Sequence, residues 1–253
     1  MAMANRKSVQ KFIKLRSTRE RRLFSASKVL FARQGKKIAK QYEDNGIDGA
    51  LGEIDRQIED WKTLLRKFYS ETIGTLASQQ LREVEKIAKK SDLSDKFILD
   101  NFDWIEKNAL EKSVLITGTS RNVAQKIIEQ GIDEGISSSA IGREINKQFA
   151  GTLSRHRSQA IARTEIGNAA SYAQHIGAEE SGLELMKEWV AVSDDAIRDG
   201  HQSLNGEKVS MNETFSVEGF GGTTDNMLHP NDPNASAGNI INCRCVIAYT
   251  PAN

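Results

Sequence analysis

The side chains with most chemistry to offer are His201, Cys243 and Cys245, with Asp195 and Arg198 upstream of the histidine and Asn242 and Arg244 interleaved with the thiols. Arg198 and His201 are three apart, so on a helix they share a face, and Asp195 lies one turn earlier on that face. Cys243 and Cys245 share one face of a strand, while Asn242 and Arg244 share the other. A disulfide between thiols so spaced would close a very small, strained ring. If the strand lies against residues 195–201, three chemistries fit. Guanidinium and carboxylate groups can satisfy one another in a buried network that pins strand to helix. Alternatively, Cys243, Cys245 and His201 hold a structural zinc ion, with His229 or Asp232 from the intervening loop as fourth ligand. The third is an enzyme with a thiol nucleophile and an imidazole base. The polar network asks least of the sequence. Cys-x-Cys is not the usual Cys-x-x-Cys zinc knuckle, and no orienting motif flanks either Cys or His.

Other motifs are missing. Gly219, Gly221 and Gly222 lack the following Lys and Ser/Thr of a phosphate-binding loop. His156 and His175 are lone histidines on one helix, which reads as surface or packing positions. Arg163 and Glu165, two apart on that helix, cannot both point at one spot.

The elements that must position these groups differ along the chain. All three prolines, Pro230, Pro233 and Pro251, lie near the end, so the preceding positions contain none of the strongest helix breaker. Apolar residues recur compatibly with helix from about residue 7 to 44, and Asn45-Gly46 reads as that helix's stop. Ile54, Ile58, Trp61, Leu65 and Phe68 alternate steps of four and three, predicting an amphipathic helix that continues to about Lys90. Asp92 or Ser94 is expected to cap a helix bearing Phe97, Phe102, Trp104 and Ile105. Ser120 is expected to cap another, bearing Val123, Ile127 and Ile128. Ser137-Ser138-Ser139 opens a short helix, and Ser154 opens a longer one to about Glu180. From Leu183 onward, short apolar runs broken by Gly, Asn, Asp and Pro read as strands and turns. Trp189–Val192 is a strand, Asp195–Leu204 a short helix or turn, and Asn205-Gly206 a hairpin signal. Residues 217–239 read as one long loop, and Ile240–Tyr249 as a closing strand. The fold class is therefore α+β: a mostly helical part, residues 1–150, followed by a small α+β domain with an antiparallel sheet, residues 151–253.

Charge is unevenly spread. The first forty residues hold thirteen Lys or Arg against the single acid Glu20, a surplus of +12 that leaves −11 for the rest of a chain of formal net charge +1. Such a basic arm suits a polyanion, with Arg6, Lys7, Lys11, Lys14, Arg16, Arg19, Arg21 and Arg22 as candidate phosphate contacts to DNA; docking on acidic protein surface suits the same charge. No apolar stretch approaches the ~20 residues of a membrane span. The basic residues that punctuate the amino terminus leave no apolar secretory core, so synthesis in a cytoplasm is expected.

Taken in order, Arg163-Thr164-Glu165 with Asn168, then Trp189, then Asp195, Arg198 and His201, then Gly206, Phe215, Pro230 and Asp232, and last Asn242-Cys243-Arg244-Cys245 resemble the Mu-F-like domain of phage head-morphogenesis proteins over about residues 155–250. The resemblance implies a minor virion protein of a tailed-phage head, present in few copies near the portal and associated with portal or major capsid protein and with DNA. Oligomeric assembly through the helical part is a further expectation. The rival expectation is a virion-packaged enzyme, a nuclease or transferase, using the His, Cys and Glu165 groups in an open cleft.

Overall fold

The structure, a computed structural model, describes residues 3–84, 93–192, 196–219 and 222–252. With no proline to interrupt it, the chain opens on a long helix, α1 (Met3–Arg56), whose helical backbone is broken at Gly46 with φ 65. A residue with a Cβ avoids that left-handed conformation, so Asn45-Gly46 ends the first helical stretch as the sequence requires. The amphipathic helix α2 (Ile58–Val84) follows; residues 85–92, including Asp92 and the expected end at Lys90, lie outside the described residues.

The helix expected to carry Phe97 through Ile105 is two helices, α3 (Ser94–Asp100) and α4 (Phe102–Asp133). Asn101 separates them at φ −114, and its Nδ2 donates to the Phe97 carbonyl at 3.0 Å, satisfying an acceptor that the break strands. Ser120 does not cap a helix. It is buried within α4, and its Oγ donates to the Ile116 carbonyl at 3.0 Å, turned back onto its own helix. Ser137 does cap, accepting from Ala140 N and opening α5 (Ser138–Ala150). α6 (Thr152–Glu179) comes next.

The remainder comprises β1 (Leu185–Val190), α7 (Asp199–Ser203), β2 (Lys208–Ser210), β3 (Phe215–Glu218), β4 (Thr224–Met227), α8 (Ala237–Ile240) and β5 (Val246–Pro251). They form an antiparallel sheet in the order β2-β1-β5 and a two-stranded ribbon, β3-β4. The α+β character expected from the change in composition is what the fold has. Residues 217–239 are not one loop, because β3 and β4 pair from Phe215↔Met227 to Glu218↔Thr224 and α8 follows. Gly206 adopts φ 90, but it links α7 to β2, and the strand it serves pairs back onto β1.

Two compact units are present. One comprises Met1–Arg21, Ser70–Asn101 and Ala162–Asn253, the other Arg22–Tyr69 and Phe102–Ile161. In the second unit, Phe31 packs edge-on to Trp61 at 4.8 Å between ring centroids, and Trp61 Nε1 donates to Gln34 Oε1 at 3.1 Å. Arg157 lies 4.5 Å over the Phe31 ring and donates to Ser120 Oγ and the Ile116 carbonyl; burial brings its pKa down to about 10. None of the described helices is long and apolar enough to cross a membrane.

The first unit is built on β1, the central strand of its sheet. Trp189 pairs with Ile247 across β1 and β5 and lies at the heart of a cluster with Leu204, Phe215, Val217, Met227 and Ile240, to which Cys243 and Cys245 also belong. The thiols are thus core residues before they are anything else.

Candidate functional site: an imidazole and two thiols

His201 is carried by α7, a helix of five residues too short to hold itself in place. Contact with β3 holds it. A Cβ on Gly200 would come within 2.1 Å of the Glu218 carbonyl oxygen, so only glycine lets α7 lie this close to the ribbon. Trp189 meets the His201 ring edge-on at 5.5 Å.

The thiols arrive on residues 243–245, which precede β5 and are not part of it. The strand expected to carry Asn242-Cys243-Arg244-Cys245 begins only at Val246, since Asn242 holds the left-handed φ of 60 and turns the chain. Arg163 Nη1 donates to Asn242 Oδ1 at 3.4 Å and Asn242 N donates to Thr164 Oγ1 at 3.0 Å. Arg198 reaches the same segment, donating from Nη2 to the Ile241 carbonyl at 2.6 Å. It does so from an extended backbone as the N-cap of α7, not from a helix face shared with His201. Asp195 lies outside the described residues.

The outcome is convergence. His201 Nδ1 lies 3.5 Å from Cys243 Sγ and 3.6 Å from Cys245 Sγ, and all three residues are buried. On its other side His201 Nε2 faces Asn239 Oδ1 at 3.3 Å. Asn239 Nδ2 donates to Asp225 Oδ2 at 2.8 Å, which fixes the amide orientation and therefore assigns the imidazole proton to Nε2. Hydrogen bonds from Ser236 and Asn239 hold the Asp225 carboxyl below its usual range. Nδ1 is left with a lone pair directed at the sulfurs. Cys243 is held well below the ordinary thiol range because Cys245 donates to it, with Arg16 acting in the same direction against burial. Cys245, the donor of that bond and itself buried, is pushed far up.

Among the described residues, His201, Cys243 and Cys245 are the group whose ligand atoms could close on a metal ion, all within 4.8 Å of one another. The loop candidates for a fourth ligand are elsewhere. His229 is buried with its ring 6.1 Å from that of His175, and Asp232 accepts from Leu228 N and from Asn234. Both are drawn into a second buried set that includes Lys187, whose Nζ donates to the Leu228 carbonyl. Glu165 and Asn168 are buried on α6, and Glu165 is not part of the His201 group. His156 is exposed, as a lone surface histidine should be.

Arg16 is the site residue that charge alone conceals. Its Nη1 and Nη2 donate to the carbonyls of Cys245 and Cys243 at 3.2 and 2.6 Å, and its Nε pairs with Glu20 at 2.8 Å. Only 3% exposed, it is unavailable to a phosphate. Arg6, Lys7, Lys11, Lys14, Arg21 and Arg22 are exposed and Arg19 half-buried; Lys11 lies 3.1 Å from Glu83, and Arg22 stacks over Phe68.

An α+β unit with a buried Cys-x-Cys and histidine group, closed by an Arg-Thr pair on the preceding helix, is the class these features define. The chain belongs to the family described as Phage Mu protein F like protein, whose model matches residues 122–248. That match starts well before the motif-bearing stretch, in the second half of α4, where helical periodicity offers no residue pattern to recognise. Minor head protein GP7 of Bacillus phage SPP1 is 29% identical over 131 residues, 51% of this chain and 40% of the relative. An uncharacterized protein of Bacillus subtilis (strain 168), YqbB, is 23% identical over 192 residues, 75% of this chain and 60% of the relative. The NAD(+)--arginine ADP-ribosyltransferase EFV of Enterococcus faecalis (strain ATCC 700802 / V583) is 33% identical over 129 residues, 50% of this chain and 25% of the relative. The aligned part is thus less than two thirds of each of these relatives. No solved structure matches the chain.

Proposed function

We propose that this chain is a minor structural protein of a tailed-phage head, resident in the virion after synthesis in the host cytoplasm and acting in head morphogenesis or genome delivery. The observation that carries the reading is the burial and mutual satisfaction of the groups with chemistry to offer. The space beside His201, lined by Val192, Ile197, Arg198, Asn242 and Arg244 among others, amounts to about 10 Å³, room for one water and not for a substrate. A virion enzyme built on these groups would place His201, Cys243 or Glu165 in an open cleft. The similarity to a minor head protein supports the same reading.

The interactions with other head components fall to the helices. α4 leaves Leu110, Val114 and Leu115 exposed at 44%, 47% and 62%, apolar surface of the kind that portal protein, capsid protein or another copy of the chain covers. Packaged DNA is met through phosphate contacts from the exposed basic residues Arg6, Lys7 and Lys14, with Lys11, Arg19, Arg21 and Arg22 beside them and Arg16 excluded. Mass spectrometry of purified particles from the phage encoding the chain, followed by co-purification of the full chain with portal protein and separately with major capsid protein, tests the proposal. Recovery in the particle and with one of these partners is expected; absence from particles overturns it.

A further inference from the structure

We propose that His201 Nδ1, Cys243 Sγ and Cys245 Sγ bind a zinc ion, with a water completing the coordination on the side facing Val192, Ile197 and Arg198. The distances carry the argument. Zn–S bonds of about 2.3 Å and a Zn–N bond of about 2.0–2.1 Å at tetrahedral angles place nitrogen and sulfur about 3.6 Å apart. Nδ1 lies 3.5 and 3.6 Å from the two sulfurs. Hydrogen bonding explains this equality poorly, because one nitrogen lone pair cannot accept fully from two thiols at once. A common centre accounts for both distances.

The surroundings fit a metal ligand set. Histidine ligands are oriented by a hydrogen bond from their other ring nitrogen, and here Nε2 donates to Asn239, which donates in turn to Asp225. Two thiolates balance a dication, so the assembled site is neutral and its burial costs far less than that of an isolated charge. Arg16, donating to both cysteine carbonyls, fixes the loop that brings the sulfurs together. The opening of about 10 Å³ accommodates about one water and no larger group. Binding replaces the thiol protons: two S–H groups become two S–Zn bonds, and up to two protons leave to solvent per ion.

The test uses the full chain, reduced and purified without chelator. Elemental analysis should find one zinc per chain. After stripping, titration with cobalt(II) should produce thiolate-to-cobalt charge transfer and the intense visible absorption of a tetrahedral site, saturating at one equivalent. Cys243→Ser, Cys245→Ser and His201→Gln should each abolish that spectrum, and Asn239→Leu, which removes the bond to Nε2 together with the bond to Asp225 behind it, should weaken affinity about 10–100-fold. Should the cysteine variants fail to fold, the wild-type titration decides alone. A reduced, folded chain that carries no zinc and gives no cobalt spectrum at saturating cobalt overturns the proposal.

Discussion

Arg16 and Cys243 are 227 residues apart in the chain, yet the guanidinium Nη2 of one donates to the main-chain oxygen of the other at 2.6 Å. The fork geometry lets Nη1 serve the Cys245 carbonyl at the same time, so one side chain satisfies two buried acceptors that flank Arg244. Arg16→Met, which keeps the aliphatic stem and loses both bonds, should cost about 3 kcal/mol in denaturant unfolding. Arg16→Lys should recover only part of this, because an ammonium cannot reproduce the planar fork. Lys14→Ala, two residues away and exposed, should stay within about 0.5 kcal/mol of wild type.

DNA affinity should divide these residues in the opposite sense. Replacing Arg6, Lys7 and Lys14 together by Ala should lower the slope of log K against log salt by about 0.9 for each phosphate no longer neutralised. The effect should be the same for unrelated DNA sequences, since phosphate contacts carry no base readout. Arg16→Met should leave the slope unchanged. A triple variant with wild-type affinity and slope would remove DNA from the proposed partners.

Acid should loosen the first unit in a defined window. Burial lowers the pKa of His175 to about 4, with His229 and Lys187 adding to the effect, and burial likewise lowers that of His229. Each imidazole is therefore neutral when folded at a pH where the unfolded chain protonates it. Stability from this source is complete above the unfolded value of about 6.5 and is lost as pH falls towards the folded values. For His175, moving from pH 7.5 to 5.5 should cost roughly 1–1.5 kcal/mol. Urea melts of wild type and His175→Gln at the two pH values check this, the variant showing the smaller loss.

Gly200→Ala should separate α7 from β3. The added methyl meets the Glu218 carbonyl at 2.1 Å, and a main-chain atom cannot turn aside as a side chain can. A loss of about 1–3 kcal/mol is expected, together with faster modification of Cys243 and Cys245 by a thiol reagent, because His201 moves with its helix. Unchanged thiol protection would show that the thiols do not depend on the seating of α7.

A fragment from Ser154 to Asn253 would lack residues 1–21 and 70–101, which belong to the same compact unit. It should show no cooperative thermal unfolding by circular dichroism, whereas a sharp transition would establish residues 151–253 as a domain in its own right.

Backbone chemistry makes some of this architecture readable. Gly46 and Ser137 mark helix boundaries because each supplies something local, a positive φ or a side-chain oxygen, and locality is what a sequence displays. Ser120 misleads for the same reason. A serine offers its hydroxyl equally well as a cap or to a carbonyl one turn back, and only the burial of α4 chooses. The β3-β4 ribbon is hidden by the polar residues of β4, although Phe215 and Val217 alternate with Ser216 and Glu218 and are buried as that alternation implies. His201 and the two cysteines are legible as a group. Asn239 and Asp225 are not, since an orienting hydrogen bond has no spacing rule. Arg16 does leave a signal: Val9, Phe12 and Arg16 follow steps of three and four, and all three are buried, so helical phase sets this arginine apart from the phosphate-facing residues around it.

The three-segment make-up of the first unit sets a timetable for the nascent chain. At about 5–20 residues per second, the ribosome needs roughly 10–50 s to travel from Arg16 to Cys243. During that interval residues 22–69 and 102–161 are complete and can condense, while the amino-terminal turns of α1 wait with an apolar stripe and a buried-to-be guanidinium still in water. A trailing polysome or a chaperone meets the chain in that state. Substitutions that weaken the late closure of residues 239–248 should therefore reduce the yield of native protein more than they reduce the stability of what is recovered.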